Sequence, residues 1–150
     1  TNYLFPIEAN AYTENEVEVV SISLNWIMQT LADARNQTNL LILDACRDNP
    51  LQVAFRSSTR GLAVVGKTST STLILYATAP DSVAIDGSGQ NSVFTSEILR
   101  HIESPNMKVE DLFKKVIVGV RQKTDGMQVP WMTGNLERDF FFCIQPSKSK

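Results

Sequence analysis

Two apolar stretches of strand length constrain this chain more than anything else in it. They are NLLILDA at 39–45 and TLILYATA at 72–79, the second stopped by Pro80. Each is too short for a helix and apolar on both of its alternating faces, as expected for strands buried on both sides in a sheet covered by helices. Helical periodicity lies around them. After Ser23, which suits an N-cap, Leu24, Ile27, Met28 and Leu31 recur at i, i+3, i+4 and i+7. FTSEILRHI and VEDLFKKVIVGVRQ read as two more helices, and Leu112, Val116 and Val120 form one stripe of the latter. NYLFPI reads as a short extended piece broken by Pro6, MQVPWMTGN as loop, and DFFFCI as a closing strand. The stretches 47–72, rich in Ser, Thr, Arg and Gly, and DSVAIDGSGQNS read as loops, the first long and mobile. Strands alternating with helices imply an α/β sheet, at least partly parallel. With no repeat and no linker, residues 1–150 read as one domain.

Charge and composition narrow the function classes. A net charge of −2, with Lys and Arg scattered, gives no nucleic-acid surface, and no apolar run approaches the ~18 residues of a membrane span. The chain opens on TNYLFPIEAN with neither an initiator Met nor a leader, as a cut or processed chain would; the compartment stays open, with the cytoplasm favoured. The two cysteines, Cys46 and Cys143, lie too far apart in sequence to suggest a metal site, and Cys143, inside FFFCI, reads as a buried structural thiol.

Cys46 is different, because it follows directly on a buried strand, and functional residues of open α/β sheets gather beyond the carboxyl ends of strands. A phosphatase loop would need Arg six positions after the cysteine, but that position holds Gln52, and no Gly-rich phosphate loop is present. Asp44, Asp48, Asp81 and Asp86 fall near strand ends and could gather around a cation, although scattered loop acids are more often only solvated. Thiol catalysis remains. A free thiol needs a base or a positive field to reach its reactive thiolate form. The single imidazole, His101, falls late on a helix face, where a solvated role is the ordinary one. On these residues alone the chain holds a nucleophile without its base. A redox switch would need a partner cysteine that the loops do not supply.

The motifs DACRDNP, FRSSTRGLAVV, TLILYATAPDSVAIDGSGQNSVFTSEILRHI and QVPWMTGNLERDFFF, in this order, resemble the bacterial caspase-like, or metacaspase-type, cysteine peptidases of clan CD. The resemblance extends from NYLFPIEAN to DFFF, almost the whole chain. It implies a caspase-like fold, a mostly parallel sheet flanked by helices, whose first strands are expected upstream of this chain. Members carry their catalytic His in a His-Gly motif shortly before NYLFP-like residues. The upstream portion, in the same chain or a separate one after processing, would therefore supply the His and a glycine amide of the oxyanion hole.

Carried over residue by residue, the resemblance implies that Cys46 is the nucleophile and that Asp44 lines the pocket for the P1 side chain. Ser82, Val83 and Ala84 would pair with the substrate backbone. Asp86 would stand where animal caspases place a basic residue that binds aspartate. The reversed sign implies cleavage after Arg, and less well after Lys. No cofactor is implied, calcium use as in some metacaspases being left open; the expected partner is a peptide or protein substrate. The plain alternatives are that Asp44 caps neighbouring backbone, that Asp86-Gly87 makes a turn, and that the whole chain is a caspase-like scaffold without catalysis. Arg56, Arg60 and Lys67 in the stretch 47–72 offer points for self-cleavage.

Overall fold

The computed structural model describes residues 3–6, 13–45, 71–79 and 90–146. Its centre is a three-stranded sheet in the order β3 (Asn39–Leu43), β4 (Thr72–Tyr76), β5 (Trp131–Asn135). The first pairing is parallel, from Asn39↔Thr72 to Leu43↔Tyr76, and the second antiparallel, from Thr72↔Asn135 to Tyr76↔Trp131. A separate two-stranded ribbon pairs β1 (Tyr3–Leu4) with β2 (Ile22–Ser23).

Strand β4 is the sequence's best strand candidate, and it takes the central place, with all five residues buried. Its side chains alternate between two cores. Leu73, Leu75 and Ala77 meet Phe94 and Ile98 of α3 (Val93–His101) and Val109, Leu112, Phe113, Val116 and Val120 of α4 (Val109–Lys123). Ile74 and Tyr76 pack on the other side against Leu24 and Met28 of α2 (Leu24–Asp33), together with Leu43. The helix periodicities thus fall on the buried faces. Phe94 and Phe113 meet edge to face, ring centroids 6.1 Å apart, in the arrangement that aromatic quadrupoles favour.

The sequence expectations need correction in several places. The three helices foreseen are present, and the sheet has the α/β character expected, but it mixes one parallel with one antiparallel pairing among the described residues. Strand β3 is not buried on both faces. Leu40 and Leu41 are half-buried and Ile42 is 39% exposed, because β3 pairs only with β4 among the described residues. Ser23 stands at the N-cap of α2 without a side-chain cap bond. MQVPWMTGN is not all loop: WMTGN forms β5, where Gly134 at φ +94° lets the backbone run close to the Thr72 carbonyl, which a Cβ would meet at 2.1 Å. DFFFCI is not a strand; it makes a single bridge, Lys108↔Phe141, and Cys143 is a half-buried free thiol rather than a core residue. A short helix α1 (Glu14–Val20) was not foreseen, although TENE carries a capping box, Thr13 receiving the Glu16 amide while the Glu16 carboxylate receives that of Thr13.

One polar group sits deep in the seam between α3 and α4. The Glu97 side chain is fully enclosed, and Gly119 makes room for it: a Cβ there would lie 2.0 Å from Oε2. Its oxygens meet cations rather than well-aligned hydrogen bonds, with Lys123 Nζ at 2.7 Å and Arg100 at 3.7 Å, and the His101 ring also lies at 3.7 Å. Removing the nearest cation leaves an enclosed carboxylate short of a partner. Lys123→Ala should therefore cost about 1–2 kcal/mol, between the values for exposed and buried pairs because Lys123 is half-exposed. The check is the thermal midpoint, which should fall by several degrees, while Lys114→Ala, which breaks only the exposed pair with Asp111, should leave it nearly unmoved.

Candidate active site

Because β3 and β4 are parallel, their carboxyl ends open on the same edge of the sheet. The pairing runs one residue beyond β4, with the Ala77 amide donating to the Leu43 carbonyl at 2.9 Å, so Asp44 leaves the sheet beside Ala77 and Thr78. The far side of this edge is pinned as well. The buried Gln128 donates from Nε2 to the Ala77 carbonyl at 2.9 Å, and the Ala79 amide donates to the Val129 carbonyl at 2.7 Å. The strand ends are thus tied on both flanks by main-chain acceptors and donors that would otherwise be buried unpaired.

The N-terminus of α3 lies at this same edge and meets Asp44. Ser92, the N-cap, accepts from the Thr95 amide at 2.9 Å and donates its own hydroxyl to Asp44 Oδ2 at 2.5 Å. The Thr95 hydroxyl donates to the same Oδ2, also at 2.5 Å. Asp44 Oδ1 receives no donor from the described residues, and the side chain is exposed. Among the described residues, the carboxylate is therefore oriented from one side and meets no donor on the other. Its acceptor bonds among these residues come from the side-chain hydroxyls of Ser92 and Thr95.

Of the residues assigned from sequence, Asp44 is the one that falls among those described. Cys46, Ser82, Val83, Ala84 and Asp86 lie outside the described residues, as do Asp48, Asp81 and the whole of 47–70. Among the described residues no group of three or more His, Cys, Asp or Glu could hold a metal ion, and no helix is long and apolar enough to cross a membrane. His101 closes α3 at the end away from Asp44, its Nε2 3.7 Å from Glu97 Oε2. It lines a shallow cleft of about 350 Å³ between α3 and α4, with Arg100, Lys115 and Val118.

Ser92 and Thr95 were not anticipated from the sequence. The available signal was a serine two residues before the first large apolar residue of FTSEIL, an N-cap pattern. It announces a helix start but not the long-range contact to Asp44.

Comparison with known proteins identifies the family. The family model described as the caspase domain matches residues 1–141. Among solved structures, caspase-1 from Spodoptera frugiperda is similar at a TM-score of 0.46 and 19% identity, the overlap covering 69% of this chain and 46% of that one. The present chain thus spans less than half the length of that protein. No curated protein sequence matches the chain. A match over residues 1–141 means that this chain belongs to the caspase-domain family of cysteine peptidases.

Proposed function

We propose that the chain supplies the nucleophile and the P1-selecting carboxylate of a cysteine endopeptidase that cleaves after basic residues, Arg over Lys. The observation that carries this reading is Asp44, exposed at the carboxyl edge of β3 and held there by two hydroxyls on one oxygen, while the other meets no donor among the described residues. An oriented, solvent-facing carboxylate beside a strand end suits a cationic side chain through a charge-assisted hydrogen bond. Two peptide units limit the Cα separation of Asp44 and Cys46 to about 7 Å, so a peptide whose P1 side chain reaches Asp44 brings its scissile carbonyl near the thiol.

The thiolate of Cys46 attacks that carbonyl, the C–N bond breaks as the amine leaves with a proton from the general acid, and water hydrolyses the thioester. The Cys46 backbone N–H donates to the oxyanion, a contact worth about 3 kcal/mol in the transition state. The proposed chemistry uses thiolate, imidazole and amide donors and needs no cofactor.

The base is assigned to a histidine outside these 150 residues. His101 supports this by its place: it lies nine residues along α3 from the cap that touches Asp44, about 13 Å at helical rise. The segment bearing the histidine, in the same chain or a separate one, is assigned to the open side of β3, where Ile42 is exposed and no strand pairs among the described residues. Ser82, Val83 and Ala84 are assigned to strand addition with the substrate, and Asp86 to the second carboxylate of the P1 pocket.

The test is covalent labelling of the full-length protein. A peptidyl acyloxymethyl ketone with Arg at P1 should modify Cys46, read as a mass shift on its peptide, and the Asp counterpart should not. Preference for the Asp reagent would defeat the specificity, and no labelling by either would favour a non-catalytic scaffold.

A further inference from the structure

An ionised carboxylate offers about four acceptor positions, two on each oxygen. At Asp44 both positions of Oδ2 are taken, one by the Ser92 hydroxyl and one by that of Thr95. Neither hydroxyl is free to turn away at no cost. Ser92 is fixed by its bond from the Thr95 amide at the start of α3, and Thr95 belongs to the first turn of that helix. Fork-to-fork pairing with a guanidinium requires one open acceptor on each carboxylate oxygen. Among the described residues Oδ1 meets no donor, and it is the oxygen left to a ligand. Asp44 therefore presents a single oxygen to an incoming cation, not a two-oxygen edge.

We infer that Ser92 and Thr95 are positioning residues of the P1 site, which aim Oδ1 at the substrate and hold Asp44 to a one-oxygen contact. The inference rests on the reading of Asp44 as the P1-selecting carboxylate. Its consequence is a division of labour. A one-oxygen contact serves an ammonium as fully as a guanidinium, so Asp44 selects for positive charge and contributes little to the choice between Arg and Lys. That choice falls to other groups of the pocket, of which Asp86 is the assigned one. Occupied acceptors on Oδ2 thus act as a limit on selectivity, and removing one should raise it.

The experiment measures kcat/KM of the full-length protein on two peptides that differ only in Arg or Lys at P1. Thr95→Val keeps the side-chain shape and removes one donor. It should raise the Arg-to-Lys ratio by about three- to tenfold, the effect of one added charge-assisted bond, and the change should appear mainly in KM. Thr95→Ser, which restores a hydroxyl, should return the ratio to the wild-type value. If the valine variant folds poorly, Ser92→Gly removes the other donor while keeping a residue suited to the N-cap, and the same rise is expected. A ratio that stays put or falls in these variants, while Asp44→Asn loses both substrates, would overturn the positioning role and leave the reading of Asp44 standing. Basic peptides cleaved normally by Asp44→Asn would overturn the reading itself.

Discussion

Cys46→Ala in the full-length protein should abolish peptide cleavage, with a loss on the order of 10⁴-fold or more in kcat, as when one member of a nucleophile–base pair is removed. Binding of a basic peptide should survive, because the P1 contacts do not involve the thiol. The informative partner experiment is His101→Ala. The geometry puts this imidazole at the end of α3 away from Asp44, beside Glu97, so its removal should leave kcat within about twofold of wild type. Progress curves on a P1-Arg peptide for the three proteins decide the matter. A collapse of kcat in His101→Ala, with the fold intact by circular dichroism, would make His101 the base and remove the need for any other histidine.

Asp44→Asn should lower kcat/KM on P1-Arg peptides by roughly ten- to 150-fold, about 1.5–3 kcal/mol for a charge-assisted hydrogen bond. The structure adds a reason for the upper part of this range. Ser92 and Thr95 donate to Oδ2, so an asparagine would settle with its amide oxygen facing them. Its NH₂ would then point toward the substrate, and a donor would face a cation. The fold should hold, because both hydroxyls keep their acceptor. A P1-Asp peptide, disfavoured by the native charge, should gain rather than lose. Steady-state kinetics on Arg, Lys and Asp peptides give the comparison, and equal losses on all three would show that the substitution damaged the site as a whole.

The core was legible because it depends on short-range pattern. TLILY shows no polar residue after its first position, and it became the central strand; Leu112, Val116 and Val120 recur at helical spacing and are fully or nearly fully buried. NLLIL is likewise apolar after its first position and yet lies at an edge among the described residues, because composition reports what a strand can bury and not which neighbours it has. WMTGN was misread because Pro130 and Gly134 are turn residues in isolation; pairing with β4 overrides that preference, and the glycine permits the close approach. FFFCI misled in the opposite direction, its apolar run covering part of the core edge as irregular chain, with Ile144 73% exposed. At the site, Asp44 was singled out by the family resemblance that DACRDNP carries. The hydroxyls that orient it could not be, since they come from 48 and 51 residues away, a distance over which sequence pattern carries no register.

Helix α3 touches Asp44 with its first turn and holds Glu97 against Gly119 further along. A helix this short transmits displacement along its axis with little bending, so these two contacts share one mechanical element. Sliding α3 by a single residue, about 1.5 Å, would shift both hydroxyls by more than half the length of their contacts with the carboxylate. Crowding the seam with Gly119→Ala, on a different helix and remote from the substrate, therefore amounts to retuning a lock by shifting the bolt that carries its pins. Such changes would surface in screens as altered substrate preference with no altered residue in the pocket.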